Sequence, residues 1–180
     1  MDNRKLLIVV DMQRDFVDGA LGSAEAAAVV KKIADKVNDT EKVVFTFDTH
    51  EDNYMETQEG RNLPIPHCIR ETDGHRLVPE LEIFKDRCYT AEKKTFGSVQ
   101  LGLFVAEMFE KDFIDEVELV GVCTDVCVIS NAMIIKAFCP EIPIKVDASC
   151  CAGVTVENHT NALKAMQACQ IEILNMEETV

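Results

Sequence analysis

KLLIVVD, residues 5–11, is a continuous run of largely β-branched apolar residues that ends in an acid. Such a run is typical of a strand buried on both faces of a parallel sheet. KVVFTFD (42–48) repeats the pattern, including the final Asp, and VELVGV (117–122) is a similar apolar run. IPIKVDAS (142–149), in which the strand is expected to end at Asp147, and IEIL (171–174) predict two more strands.

Helical patterns alternate with these strands. SAEAAAVVKKIADKVND (23–39) combines a Ser cap with apolar residues at helical spacing, which predicts an amphipathic helix. The same periodicity predicts helices over 98–112, 125–138 and 155–169, and LEIFKD (81–86) predicts a short third strand. Alternating strands and helices favour an α/β fold, a three-layer α/β/α arrangement around a mostly parallel sheet. We expect one domain over residues 1–180.

Composition narrows the classes of partner. The chain has 32 acidic and 18 basic residues, a formal charge of −14, which repels nucleic acid and anionic membrane surfaces. The apolar run near the N-terminus is too short for a signal peptide, and no later run approaches a membrane span. We therefore expect a cytoplasmic protein with reduced cysteines. Neither a G-x-G-x-x-G motif after the first strand nor a P-loop is found.

Residues capable of chemistry follow several of the predicted strands. In a parallel sheet the ligand crevice lies beyond the carboxyl ends of the strands. Asp11, Asp48 and the turn GVCTDVC (121–127) all lie at such ends, so the topology should bring them together. Taken alone, each of these Asp residues also suits a helix cap or a turn.

The cysteines need separate interpretations. Most of the eight, including the neighbours Cys150 and Cys151, are expected to be small buried hydrophobes. Cys127 should lie in the first turn of a helix, where backbone N–H groups favour a thiolate and a developing oxyanion. Cys123 precedes that helix. Simple packing of both cysteines stays open from this stretch alone, whereas a zinc pair is disfavoured because no second pair is near.

A long irregular segment, residues 49–80, contains three of the four histidines. Loops of this length in compact domains are usually functional or disordered. Asp48 and His50 are two residues apart in extended chain and so point to the same side. His67 arrives in a proline-braced loop, with Glu59 between. This donor set suits Zn²⁺, Fe²⁺ or Mn²⁺, and the alternative is a set of solvated loop histidines.

Other charged and histidine residues receive simpler interpretations. AEKKTFGS (91–98) contains Lys93 and Lys94, and a lysine pair is normally part of a solvated surface. His75 lacks the metal-site context and His159 lies in a predicted helix, so both are interpreted as structural.

Three motifs together resemble a known family. VVDMQRDF, KKTFGS and GVCTDVCV occur in the order found in the isochorismatase-like cysteine hydrolases, and the resemblance spans nearly the whole chain. It implies a catalytic triad of Asp11, Lys94 and Cys127, with Cys127 as the nucleophile. It also places Cys123 after a cis peptide bond, where its N–H and that of Cys127 would form the oxyanion hole.

The loop motifs resemble one branch of that family. DTH, PHC and ETDGHRLVPEL are similar to segments of nicotinamidases/pyrazinamidases. The resemblance implies a divalent metal, Zn²⁺ first and Fe²⁺ or Mn²⁺ as alternatives, bound by Asp48, His50 and His67, with Glu59 as a fourth ligand.

The chain departs from that branch at the wall of the substrate pocket. Ile65 stands where many nicotinamidases have an aromatic residue before the loop proline, the chain has no Trp, and Pro66 directly precedes His67. Phe16 is then the best remaining member of a ring-packing wall.

The resemblance implies an amidohydrolase that converts nicotinamide, and also pyrazinamide, to the acid and ammonia through a cysteine thioester. The metal would hold the pyridine nitrogen. Since relatives are often oligomeric, a homo-oligomer is compatible with it. The alternatives are a family hydrolase acting on another small amide or a vinyl ether, and a non-catalytic thiol or metal sensor. An assay of ammonia release distinguishes these functions.

Overall fold

The computed structural model describes residues 4–176, and a six-stranded sheet lies at its centre. The strands are β1 (Lys5–Val10), β2 (Lys42–Asp48), β3 (Tyr89–Lys93), β4 (Glu116–Val122), β5 (Ile144–Ala152) and β6 (Glu172–Leu174). They are ordered β3-β2-β1-β4-β5-β6, and each neighbouring pair is parallel. The predicted α/β class with a parallel sheet is confirmed.

Helices cover both faces of the sheet. They are α1 (Arg14–Val17), α2 (Ala24–Asn38), α3 (Gln58–Asn62), α4 (Pro79–Glu82), α5 (Val99–Glu110), α6 (Ile129–Phe138) and α7 (Val156–Ala168). Successive side chains of a strand point to opposite faces. Accordingly, Leu6 and Ile8 pack in the core formed with α5, α6 and α7, whereas Leu7 and Val9 pack in the core formed with α1, α2 and α4. The result is the three-layer arrangement.

Local sequence explains where the long helices begin. The Ser23 hydroxyl accepts a hydrogen bond from the Ala26 N–H at 3.0 Å, so α2 starts with a satisfied cap. Its apolar face, including Ile33 and Val37, is fully buried against the sheet. The four predicted long helices are all present, with ends shifted by a few residues. Within residues 4–176, no helix is long and apolar enough to cross a membrane.

The predicted strand over 81–86 is wrong. Pro79 begins α4 there, and the chain continues into a short 3₁₀ turn at Lys85–Arg87. Pro is well suited to the first turn of a helix because its missing N–H has no partner there in any case. The third strand is β3 at the edge of the sheet, and most of its side chains are exposed. An exposed edge strand has no apolar run by which to recognise it.

The carboxyl end of β4 comes unusually close to β1. Gly121 has φ +117°, and a Cβ on it would lie 2.2 Å from the Val10 carbonyl oxygen, so only glycine fits. This close approach sets the turn after β4 beside Asp11. The neighbouring β5 runs on to Ala152 after a register shift, so Asp147 lies inside that strand and not at its end, contrary to the prediction.

Candidate active site and metal centre

The candidate site lies at the carboxyl ends of four neighbouring parallel strands. β1 and β2 lead to Asp11 and Asp48, β3 ends at Lys93, and β4 leads into the turn that contains Cys127. From β1 the sheet grows through β2 on one side and β4 on the other. Such a switch point between neighbouring strands is where open α/β sheets bind ligands. The expected convergence of the strand-end residues is therefore observed.

Asp11, Lys93 and Cys127 form a buried cluster. The Lys93 Nζ lies 2.6 Å from Asp11 Oδ2 and 3.5 Å from the Cys127 Sγ, and all three residues are buried. The Thr46 hydroxyl donates to Asp11 Oδ1 at 2.6 Å and accepts from the Asp11 N–H at 3.1 Å. The Asp11 carboxylate is thus hydrogen-bonded through Oδ1 and ion-paired through Oδ2.

The prediction that Lys94 joins this cluster is wrong, because Lys93 occupies the place. Lys93 is the last residue of β3 and the register partner of Asp48, and its side chain points inward. Side chains alternate along a strand, so the next residue points away, and Lys94 is exposed. The sequence contained both lysines, but choosing between them required the bounds of β3.

The electrostatics of the cluster suit a proton transfer. Burial raises the pKa of Asp11, and nearby Asp48 adds to this, while Lys93 and Thr46 oppose it without reversing the shift. Burial, followed by the charge of Asp11, raises the pKa of the Cys127 thiol well above its ordinary value, against the influence of Lys93. Burial opposes the ammonium form of Lys93, but its neighbours Asp11, Cys127 and Asp48 outweigh burial and raise the pKa of Lys93. A carboxylate with a raised pKa is a stronger base for the thiol proton.

Cys127 lies at the start of a helix, as predicted. Residues Thr124–Val128 form a single wide turn, in which the Val128 N–H donates to the Cys123 carbonyl at 3.1 Å, and α6 follows directly. The Val122–Cys123 peptide bond is cis, as the family resemblance implied. From α6, the Asn131 amide donates to the Cys127 carbonyl at 2.8 Å. No sequence pattern had singled out Asn131.

Four side chains converge in a second cluster beside the first. One ligand atom from each of Asp48, His50, Glu59 and His67 can be chosen so that all lie within 4.8 Å of one another. The Nε2 of His50 lies 3.0 Å from Asp48 Oδ2 and 3.5 Å from Glu59 Oε1. The Nε2 of His67 lies 3.6 Å and 3.7 Å from the same two oxygens. Asp48 also lies 3.3 Å from Lys93, which joins the two clusters.

This second cluster fits a divalent metal ion. Ligands bound at about 2.0–2.2 Å lie roughly 3–3.6 Å apart, and two nitrogens with two carboxylate oxygens are a common zinc set. The Nδ1 of His67 is 2.8 Å from the Ile65 carbonyl, so it carries the hydrogen and leaves Nε2 free for a metal. Although burial opposes it, Asp48 and Glu59 raise the pKa of His50 to about 9. The site therefore favours positive charge.

The remaining histidines have structural partners, as predicted. His75 Nε2 lies 2.9 Å from the Thr49 hydroxyl, and His159 Nδ1 lies 2.8 Å from the Thr124 hydroxyl. Gln13 is a further structural residue that the sequence did not reveal. Its buried side chain accepts from the Asp48 N–H at 2.7 Å and donates to the Asp48 carbonyl at 2.9 Å.

An apolar cavity of about 320 Å³ connects the two clusters. Cys127 and Cys123 line it together with Glu59 and His67, as expected for a site that places a small molecule between thiol and metal. Phe16 forms part of the wall, as predicted, with its ring 5.4 Å from that of His67 in an edge-on arrangement. The remaining wall is mostly aliphatic, with Phe96 as a second aromatic side chain that the sequence analysis missed.

Comparison with known proteins now assigns the family. The model of the isochorismatase domain matches residues 5–178. The chain belongs to the isochorismatase family. The resemblance inferred from three short motifs is thereby confirmed, and it covers the strands, the cavity and both side-chain clusters.

Individual members of the isochorismatase family are similar over nearly their whole length. The nicotinamidase/pyrazinamidase of Mycobacterium tuberculosis is 29% identical over 184 residues, covering 94% of this chain and 98% of the relative. The crystal structure of a pyrazinamidase/nicotinamidase from Streptococcus mutans has a TM-score of 0.81 and 28% identity, covering 94% and 99% of the two chains. A Pyrococcus horikoshii pyrazinamidase, solved in complex with zinc, has a TM-score of 0.78 and 25% identity, covering 96% and 99%.

Proposed function

We propose that this isochorismatase-family protein is a metal-dependent nicotinamidase that hydrolyses nicotinamide to nicotinic acid and ammonia. The observation that carries the proposal is one apolar cavity bordered by both the buried thiol–acid–lysine cluster and the four-ligand cluster. The nicotinamidase and pyrazinamidase names of its relatives support the same reaction. A cavity of about 320 Å³ accommodates a single aromatic ring with its carboxamide.

The catalytic residues in this proposal are Asp11, Lys93 and Cys127. Asp11 accepts the proton of the Cys127 thiol, and the sulfur attacks the carboxamide carbon. The backbone N–H groups of Cys123 and Cys127 stabilise the oxyanion. Asp11 then returns the proton to the leaving nitrogen, so the C–N bond breaks, ammonia departs and a thioester remains. Water hydrolyses the thioester and restores the thiol.

Lys93 acts on this sequence through charge. Its ammonium lies between Asp11 and the sulfur, and the surrounding negative groups keep it protonated. It therefore opposes the repulsion between the carboxylate and a nascent thiolate, and it fixes the carboxylate oxygen that exchanges the proton. The predicted role of a lysine is retained, while its position moves from 94 to 93.

The ligand cluster orients the substrate in this proposal. Asp48, His50, Glu59 and His67 would hold one divalent ion, for which we propose Zn²⁺, and the ion would supply a Lewis-acidic position for a ring nitrogen. Phe16 packs on the His67 ring at the cavity wall, where a planar ring can contact it. Recognition of the ring at one end leaves the carboxamide at the Cys127 end.

A substrate panel with and without metal tests the proposal. Zinc-loaded protein should release ammonia from nicotinamide and from pyrazinamide, which keeps a nitrogen at the corresponding ring position. Benzamide has the same carboxamide without that nitrogen and should be a poor substrate. Chelation, or His50→Ala, should sharply slow nicotinamide hydrolysis, and iodoacetamide should still alkylate Cys127 in the metal-free protein.

Each failure of that panel has a distinct meaning. Equal rates on nicotinamide and benzamide, or turnover that is unchanged after verified metal removal, would contradict the role of the metal. Hydrolysis of other amides or of a vinyl ether, without activity on nicotinamide, would assign a different reaction within the family. Metal binding with no hydrolysis at all would favour a sensor.

A further inference from the structure

The metal ligands of the proposed site come mostly from a segment with little regular structure, so something else must fix their positions. His67 is followed by Cys68, whose N–H donates to the Asp15 carboxylate at 2.7 Å. The Cys68 carbonyl accepts from the His50 N–H at 3.0 Å. One residue, Cys68, thus connects the two histidines, being bonded to His67 along the chain and hydrogen-bonded to His50, and Asp15 holds its N–H in place.

We infer that Asp15 is a positioning residue for the metal centre, acting on His67 and His50 through the backbone of Cys68. Asp15 lies in α1, directly after the strand that leads to Asp11. Asp15 therefore connects the chain segment that carries Asp11 to the metal ligands His50 and His67. The inference rests on the metal site of the proposed function and adds the residue that preorganises it.

The Asp15 carboxylate has little freedom to move. Its Oδ1 accepts a hydrogen bond from the Ala20 N–H at 3.3 Å, while Oδ2 faces Cys68. On another side it is packed against Gly74, where an added Cβ would lie 2.1 Å from Oδ2. The Asp15 N–H also donates to the Gly74 carbonyl at 3.0 Å. Glycine at position 74 leaves the space that the carboxylate occupies.

Two residues next to Asp15 in the chain also hold metal ligands in place. Gln13 clamps the backbone of Asp48 from both sides, and Phe16 packs its ring against His67. The short stretch 13–16 therefore contacts the surroundings of three of the four ligands. Groups that orient metal ligands in this way typically account for about 10–100-fold in metal affinity.

The test is the Zn²⁺ affinity of a graded pair of variants, measured by competition with a chromophoric chelator. Asp15→Ala removes both hydrogen bonds and should weaken zinc binding by about a hundredfold. Asp15→Asn keeps one acceptor but turns a donor toward the other N–H, so it should lose about tenfold. Asp18→Asn is the matched control, since Asp18 is exposed at the end of the same helix and pairs only loosely with Arg14 at 3.7 Å.

A second substitution, at Gly74, tests the position of the Asp15 carboxylate without changing Asp15 itself. Gly74→Ala should displace Asp15 and weaken zinc binding, and the Asp15→Ala/Gly74→Ala double variant should bind no worse than Asp15→Ala. In every variant, iodoacetamide should alkylate Cys127 in the metal-free protein at the wild-type rate, which a general loss of structure would change.

The outcomes separate this inference from the proposed function. Zinc affinity of Asp15→Ala within twofold of wild type would overturn the inference, even if nicotinamide is hydrolysed. A graded loss of affinity would support it, even if the wild type proves inactive on nicotinamide. If Asp15→Ala fails to fold, Asp15→Asn and Gly74→Ala decide in its place. A wild-type protein that binds no zinc would overturn the metal site and this inference together.

Discussion

Two regions of the molecule bring together a lysine, a carboxylate and a cysteine, yet only one has the features of an active site. In the first, Lys93 lies beside Asp11 and Cys127. In the second, Lys36 of α2 binds Asp147 at 2.8 Å, and the Ser149 hydroxyl, which donates to Asp147, lies 3.8 Å from the Cys150 Sγ. Residue types alone do not distinguish the two regions.

The surroundings of the two clusters shift the carboxylate pKa in opposite directions. At Asp11 burial dominates and the pKa is raised, so the ionised form is held at a cost in stability. Burial would also raise the pKa of Asp147, but hydrogen bonds from Lys36, Asn175 and Ser149 outweigh it and lower the pKa. The second carboxylate therefore stabilises the fold, whereas the first is kept reactive.

The clusters also differ in their place in the sheet. Cys127 lies beyond the carboxyl end of β4, at the start of a helix, and lines the cavity. Cys150 lies inside β5 and is buried in the core beneath α2. The comparison teaches that access and strand-end geometry, more than the presence of the three groups, make a reactive site.

The largest effect is expected from removing the sulfur that faces the cavity. Cys127→Ala should lower kcat for ammonia release by roughly 10⁴-fold or more, because the proposed thioester forms on the Cys127 sulfur. Cys123→Ala should retain most of the activity, since it is proposed to contribute its backbone N–H. Metal content and the circular dichroism spectrum should stay unchanged in both. Equal losses in the two variants would show that the nucleophile is misassigned.

The next effect separates two adjacent lysines. Lys93→Met should lower kcat at least about a hundredfold, because Asp11 loses the charge that orients it beside the thiol. Lys94→Met should remain near wild type, since its side chain is exposed. Steady-state ammonia release, with each protein corrected for its folded fraction, gives the comparison. A dead Lys94 variant beside an active Lys93 variant would reverse the assignment.

A smaller effect, on stability and not on rate, is expected at the second cluster. Lys36→Met leaves Glu118 and Asp147 buried without their shared cation and should reduce the free energy of unfolding by about 3 kcal/mol. The kcat of the folded fraction should be unchanged. Urea unfolding and ammonia release on the same samples measure both quantities.

The pH dependence of that stability loss has a definite sign. In the wild type the lowered pKa values of Glu118 and Asp147 contribute stability that is lost as the pH falls through the carboxylate range. Without Lys36, burial should raise the pKa of Asp147, while Glu118 keeps Lys5 at 2.9 Å, so protonation of Asp147 favours the folded variant. The deficit of Lys36→Met should therefore shrink from pH 8 to pH 5. A deficit that grows over this range would contradict the electrostatic account.

Much of the fold could be predicted because its signals are local and periodic. The apolar strands 5–10 and 42–48 and the capped, amphipathic helix 24–38 combine hydrophobic pattern and propensity consistently. β3 could not be found in this way, because it is an exposed edge strand with polar residues. The error at Lys94 followed from it, since the inward-facing lysine is decided by the register of that strand.

The site residues that lie in motifs could be predicted from the sequence. The residues that support them through tertiary contacts could not. Recognisable motifs contain Asp11 and Cys127, which the structure places in the cluster with Lys93. Motifs in the loop contain His50 and His67, which the structure places in the ligand cluster. Supporting residues such as Asn131 have no periodic signature. Their importance depends on which backbone groups the fold places within reach of their side chains.

The measurement that tests the central claim most directly is the pair Asp11→Asn and Asp147→Asn, each assayed for kcat and for the free energy of unfolding. If Asp11 is kept for proton transfer, Asp11→Asn should lose at least about a hundredfold in kcat. It should be no less stable than wild type, since Lys93 retains Asp48 at 3.3 Å. Asp147→Asn should keep its kcat and lose stability. An Asp11→Asn variant that is active but unstable, beside a stable and inactive Asp147→Asn variant, would contradict the account.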